Sequence, residues 1–383
     1  MKVLIRIGFV VACSVWIGVA WKTYRQWHQP PPAIKVELLP YDSTVPTWDG
    51  SYPVLAIAPQ ASGQTQFTGT IVMRKPSVRH PAPVNEFDVN LDTGMFVLRQ
   101  TDLFVPDVMP LALDRTYRAW DYNSRAFGVG TNHPYDICPT GTRFPYTYQD
   151  LNLEDGRQIH FGRISKGSGY ADAVFRHGST SSEFYGAQDA WNGNGWTLTL
   201  GDHRQFIFPE AYHAKSYAQG AAWEIRDGEG HSIRLKRDAD RNLQELVSSS
   251  AHVIKFKYDG SARITEAEDD TGNTRAYTYD STGHLESVSD GSRILYRFEY
   301  TRLLNSAGYD PYLMTAILDG NWNILLKNTY RAGLVSEQHL ADGKVYKYNY
   351  SRNSANQIVQ TIVTLPGGQT RELNFHDGIY KAK

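Results

Sequence analysis

The stretch Tyr277-Thr278-Tyr279-Asp280-Ser281-Thr282-Gly283-His284-Leu285 is written as a strand, a tight turn and the start of a returning strand. Tyr277 and Tyr279 are two residues apart, so in an extended chain both rings leave the same face. Asp280 at the first turn position and Gly283 at the fourth is the preferred chemistry of a type I turn, or of a turn closed by a glycine bulge. Beyond the turn, Leu285 and Val288 are three residues apart rather than two, which asks for a bulge or bend in the returning strand.

Working outward, the same unit recurs at a fixed interval of 21 residues. Phe256 and Tyr258 precede the quoted copy, and Phe298 and Tyr300 follow it. One step earlier the frame lands on Leu235 and Arg237. Leu243 with Leu246, and Ile264 with Ala267, repeat the offset of three. Asp270-Thr271-Gly272-Asn273 and Asp290-Gly291 supply the opposite turns. One unit is therefore strand, turn, strand, turn, at ~5–7 residues per strand. A period of this length is one supersecondary element laid down again and again, each copy burying the flank of the last. Such stacking is expected to set aromatic beside aromatic across neighbouring strands, at ~0.2–1 kcal/mol per pair. The tyrosines read as structural columns, with ligand stacking as the alternative. The fold class is all-β, an array of antiparallel hairpins forming a curved, incomplete shell.

These residues resemble the YD repeat of Rhs proteins and of the related teneurin and insecticidal-toxin shells. The pattern Tyr-Asp-x-x-Gly-x-Leu is complete at Tyr279, Asp280, Gly283 and Leu285. At Tyr258-Asp259 it is partial, with Ala262 for the glycine and Ile264 for the leucine. Tyr300-Thr301, Tyr330-Arg331 and Tyr350-Ser351 keep the tyrosine and lose the aspartate. Upstream, Asn90-Leu91-Asp92-Thr93-Gly94, Thr101-Asp102-Leu103 and Pro110-Leu111-Ala112-Leu113-Asp114-Arg115-Thr116-Tyr117 look like the domain that opens Rhs shells. Phe127-Gly128-Val129-Gly130 and Leu153-Glu154-Asp155-Gly156-Arg157-Gln158-Ile159-His160-Phe161 continue in the same style. The resemblance covers roughly residues 85–350. It implies a shell-opening β domain over 85–220 and YD-type hairpins over 221–383. The segment after Tyr350 lacks the autocleaving, cage-sealing pattern of complete Rhs shells, so the chain reads as a short stand-alone or truncated relative.

Composition agrees with strands. Aromatics are 13% of the 383 residues, 24 of them tyrosine, and 32 glycines and 18 prolines are spread along the chain. A charged content of 21% with recurrent apolar strands argues against a disordered chain. Residues 1–28 carry four basic and no acidic side chains, which leaves 35 basic against 40 acidic in the remainder. A mildly acidic body lacks the basic footprint that nucleic acid requires. Cys13 and Cys138 are the only cysteines, too few for a disulfide framework or a zinc site; Cys138 reads as a small buried apolar residue.

Lys2 and Arg6 precede an apolar run from Ile7 to Trp21, ~22 Å as a helix against ~30 Å of hydrocarbon. Residues 1–28 are a short membrane-anchoring helix or a cleaved signal, with Gly18-Val19-Ala20 as a cleavage site; Val10-Val11-Ala12-Cys13 also resembles a lipobox. Each alternative exports the body, to the periplasm or the cell exterior. Pro30-Pro31-Pro32 opens a stiff linker, and residues 29–84 read as an irregular β segment with short strands at Val54–Ile57 and Phe67–Met73.

A search for chemistry returns little. The nucleophile-elbow spacing, a phosphate loop ending in Lys-Ser/Thr and a helical His-Glu-x-x-His are all missing. The histidines are scattered singly, and Glu268-Asp269-Asp270 lacks a calcium-loop spacing and reads as a solvated turn. The expectation is no enzyme, no metal and no cofactor. Two functional readings remain. One is a scaffold that encloses or docks a polypeptide partner, toxin or other, with the segment after Tyr350 capping a strand edge or recruiting a partner strand. The other is a surface carbohydrate-binding module, with Trp191 and Trp196 of Trp191-Asn192-Gly193-Asn194-Gly195-Trp196 as glycan-stacking rings. A degenerate remnant of a longer Rhs toxin is the third possibility.

Overall fold

The computed structural model describes residues 88–178, 183–211, 214, 217–303, 312–376 and 379–381. The expected anchor or signal, the proline linker and the strands at 54–57 and 67–73 lie outside the described residues. Among the described residues strands account for 55% and helix for 2%, so the all-β expectation holds.

Two bodies of sheet make the fold. The first is four-stranded, in the order β1 (Val89–Asn90), β2 (Met95–Val105), β3 (Leu111–Arg118), β6 (Thr131–Asn132), with a small ribbon of β4 (Ser124–Arg125) and β5 (Gly128–Val129) beside it. The second is one long antiparallel sheet in which each strand pairs with the next in chain order. It begins with β7 (Cys138–Gly141), β8 (Tyr148–Asn152), β9 (Gln158–Arg163), β10 (Val174–Arg176), β11 (Gln188–Trp191), β12 (Gly195–Thr199), β13 (Gln205–Pro209) and β14 (Glu224–Arg226). The hairpins follow as β15 (Ser232–Arg237) with β16 (Leu243–Ser248), β17 (Val253–Tyr258) with β18 (Ile264–Asp269), and β19 (Thr274–Tyr279) with β20 (Leu285–Ser289). Then come β21 (Ile294–Arg302) with β22 (Tyr312–Asp319), β23 (Ile324–Arg331) with β24 (Leu334–Leu340), and β25 (Val345–Arg352) with β26 (Ile358–Thr364), before β27 (Thr370–His376) and β28 (Ile379–Lys381). The sheet stays open and does not close into a barrel. The ladder passes the expected boundary at 220/221 unbroken, since β13 pairs with β14 and β14 with β15. The segment after Tyr350 covers the edge of β25 with three further strands.

The bulge implied by the three-residue offset is present. Tyr258 pairs with Ile264, Tyr279 with Leu285 and Tyr300 with Met314, and in each case one residue of the returning strand is skipped. The aromatic columns differ from expectation. Phe256, Tyr277 and Phe298 are buried, but their cross-strand partners are Ala267, Val288 and Ile317. With one such aromatic per hairpin, successive rings sit two strands apart, ~10 Å, beyond direct stacking distance. Aliphatic residues fill the strand between.

The turns follow their residue chemistry. Asp280 accepts the backbone N–H groups of Thr282 and His284, Gly283 N–H closes onto Asp280 O, and Gly283 takes φ +87°. Asp259 does the same for Ser261 and Arg263, with Ala262 forced to φ +58°. On the opposite rim a second column, missed in the sequence reading, recurs at 21 residues: Asp227, Ser248, Asp269 and Asp290 each cap their own turn.

Candidate functional site

The tyrosines of the repeat act as rivets between hairpins. Tyr258 Oη donates to Leu243 O, Tyr279 Oη to Ile264 O, Tyr300 Oη to Leu285 O, Tyr330 Oη to Met314 O and Tyr350 Oη to Val335 O, at 2.5–3.1 Å. The accepting residues Ile264, Leu285, Met314 and Val335 are those paired with the tyrosine of the hairpin before, at the bulge. A bulge removes its carbonyl from the regular ladder, and the next tyrosine satisfies it. Burial pushes the Tyr258, Tyr279 and Tyr350 phenols upward, so each stays a donor. At the start of the array Arg237 occupies the tyrosine position and instead bonds Ala222 O, Tyr135 O and Asp136.

Residues 91–137 lie along the buried face of this array, and their polar contacts run across it in order. Thr361 of β26 donates to Leu91 O, Val335 N of β24 to Gly94 O, and Trp120 Nε1 to Gly333 O. Met314 N of β22 donates to Tyr117 Oη, Val129 N to Gly283 O, and Ile264 N of β18 to Ala126 O. Arg237 of β15 completes the row. From β15 to β26 is ~53 Å of sheet at ~4.8 Å per strand, whereas the whole of β2 is ~37 Å long. The contacts come from turns and the β4–β5 ribbon as well as from β3, so the opening segment as a whole, rather than one strand of it, reaches from β15 to β26.

Glycines allow the closest approaches. A Cβ on Gly128 would sit 2.4 Å from Gly283 O, and one on Gly333 would sit 2.1 Å from the Trp120 ring. Both residues also have positive φ. The opening segment and the complete repeat copy, some 150 residues apart in sequence, are thus packed backbone to backbone.

At the centre of the seam is a buried ion pair. Arg115 bonds both Asp102 oxygens at 2.9 and 3.2 Å, with Gln100 Oε1 at 2.6 Å, and its guanidinium lies 5.2 Å from the Phe298 ring centroid. Tyr277 donates its hydroxyl to Asp102 Oδ2 at 3.0 Å. Removing one member of such a buried pair costs about 3–5 kcal/mol. Three expected repeat positions therefore have defined places: Tyr277 and Phe298 touch the Asp102–Arg115 pair, and Phe256 lies beside the buried His133 ring. Burial pushes His133 down, against the pull of Asp136, so it is kept neutral.

Other candidates resolve as follows. Trp191 and Trp196 pair across the β11–β12 hairpin with ring centroids 5.3 Å apart, edge to face. Trp196 is 2% exposed, packed on Phe175 and Tyr146; Trp191 is half-buried against Tyr170. A sugar could reach only Trp191 of the pair. Cys138 is buried, and burial pushes its thiol up to about 12, the state of an inert core residue. Asp227, Glu229 and His231 converge on one rim turn, but Asp227 already accepts the N–H groups of Glu229 and His231 and meets the His231 ring. An 880 Å³ cavity opens between residues 123–141, the 240–262 turns, and Ala211, Ala214, Ala218 and Gly220. Among the described residues no helix is long and apolar enough to cross a membrane.

A family model described as a domain of unknown function, DUF6531, matches residues 88–161, which covers β1 to β9 apart from its last two residues. No curated protein matches. Among solved structures, the chain is similar to "Crystal Structure of TcdB2-TccC3-Cdc42" at 12% identity and a TM-score of 0.29, over 70% of this chain and 15% of that one. It is also similar to the Photorhabdus luminescens Tc holotoxin pore carrying a TccC3 mutation, at 10% identity and a TM-score of 0.26, over 72% of this chain and 18% of that one. The chain thus spans less than a fifth of these structures, and likenesses this low carry no argument by themselves.

Proposed function

We propose that this chain is a non-catalytic, exported β-scaffold of the Rhs and YD-repeat type, which docks or encloses a polypeptide partner within a polymorphic-toxin system. The observation that carries the reading is the union of its two motif groups. The opening segment, with Gly94 and Gly128, packs directly on the repeat, at Val335 and Gly283. A pair of motifs that meet so closely form one working unit. The same face of the repeat sheet holds residues 91–137 by hydrogen bonds at Gly283 O, Gly333 O and the N–H groups of Ile264, Met314 and Val335, which supports a face able to seat polypeptide. Its residues supply curvature, apolar surface and satisfied turns.

The test is co-expression of the full chain with the products of the reading frames on either side of its gene, followed by affinity purification and crosslinking mass spectrometry. A stoichiometric complex crosslinked to the hairpin sheet is expected. A chain that purifies alone from every co-expression would overturn the proposal.

A further inference from the structure

The Glu154-Asp155-Gly156-Arg157 turn joins β8 to β9 and is buried against the four-stranded sheet. Charged groups meet it from every element packed around it. From β2, Arg99 bonds Asp155 Oδ2 at 3.1 Å; from β3, Arg118 bonds Asp155 O at 2.7 Å. Arg157 pairs with Asp155 within the turn. Asp92, in the β1–β2 turn, interacts with Arg157 and Arg118. Asp121 and Arg125 stand over Gly156, where a Cβ would lie 3.3 and 3.8 Å from them. Glu183 faces Arg157 and is held by Arg204, which also bonds Asp202.

Within this cluster Asp92 Oδ1, Glu154 Oε2 and Glu183 Oε1 are buried and accept no hydrogen bond. A buried carboxylate oxygen without a donor is costly when charged and cheap when the group is protonated. Arg99, Arg118 and Arg157 act on Asp92 and Glu154 through charge alone, a smaller effect than burial, since Arg99 and Arg118 spend their bonds on Asp155; Arg204 bonds the other oxygen of Glu183.

We propose that this turn is a proton-operated clasp: with Asp92 and Glu154 protonated the four-stranded sheet sits sealed on the start of the long sheet, and their ionisation draws water into the seam and loosens it. Burial pushes both groups up to about 7, from ordinary values of 3.8 and 4.5, with Asp155 adding to the effect on Glu154. The folded seam thus holds protons that the unfolded chain releases near pH 4. Its stability falls as pH rises from about 4 to about 7, and levels above that. Asp155 moves the other way: burial opposes it, but Arg157, Arg99 and Arg118 outweigh burial and hold it charged throughout this window.

Hydrogen exchange read by mass spectrometry on the full chain, expressed as protection factors at pH 5 and pH 8, tests the clasp. Peptides from 88–105 and 150–163 are expected to lose at least tenfold protection at pH 8, while a reference peptide from 324–331, in β23, holds. The double variant Asp92→Asn, Glu154→Gln is expected to keep its pH 5 protection at pH 8. A wild-type seam equally protected at both pH values overturns the proposal, as does a double variant that loosens as much as the wild type. The wild-type comparison decides by itself where the variant does not fold.

Discussion

Ala262 and Gly283 occupy the same turn position one period apart, both with positive φ. For an L residue this region costs roughly 1–2 kcal/mol, of which the greater unfolded-state freedom of glycine offsets ~0.5–1. Ala262 is exposed, so its replacement disturbs no packing. Ala262→Gly is therefore expected to raise stability by roughly 0.5–1 kcal/mol, and Gly283→Ala to lower it by about 1 kcal/mol, measured by urea denaturation. The Asp-x-x-Gly spacing made this turn legible in the sequence. The strain at Ala262 was not, because alanine in a degenerate copy signals only a missing glycine until its backbone is seen.

At the scale of the hairpin, the bulge and the tyrosine are one device. Each hairpin frees a carbonyl by skipping a residue, and the tyrosine fifteen positions onward, or sixteen at Tyr330, takes it up. Tyr279→Phe leaves Ile264 O buried without this donor, and is expected to cost roughly 1–3 kcal/mol. Tyr185→Phe, at an exposed hydroxyl, is expected to stay within about 0.5 kcal/mol. Equal, negligible effects in the two variants would show the tyrosine ladder to be incidental. The 21-residue interval announced the repeat, and the three-residue apolar offset announced the bulge. What joined them was hidden, since the bond runs from the tyrosine of one hairpin to the adjoining strand of the hairpin before, outside the ladder register, and no turn motif encodes it. The cap column at Asp227, Ser248, Asp269 and Asp290 was available at the same spacing, but a serine in one copy and variable neighbours obscured it.

For the whole molecule, the long sheet is held in register by what lies on it. Deleting residues 353–383 removes β26 to β28, strips Ile358 and Val363 from the core, and breaks the Thr361 bond to Leu91 O. It also bares the edge of β25, a row of unpaired N–H and C=O groups. Concentration-dependent aggregation in light scattering is expected; a truncated chain that remains a monomer at all concentrations would contradict this. Here the limits of local reading are plainest. Trp191 and Trp196 were read as a pair of glycan-stacking rings, yet Trp196 is enclosed by Phe175 of β10 and Tyr146 of the β7–β8 loop.

The sequence by itself determined the all-β class, the hairpin unit, its turns and its bulges, because period, turn chemistry and side-chain alternation are local properties of the backbone. Only the tertiary structure decided that the opening segment lies across the repeat, that Arg115 meets Asp102 beneath Tyr277, and that Asp92, Glu154 and Glu183 share one buried cluster with Arg157. Those arrangements depend on burial and on charge at close range. Both arise from contacts between residues up to some 270 positions apart, which no spacing along the chain can express.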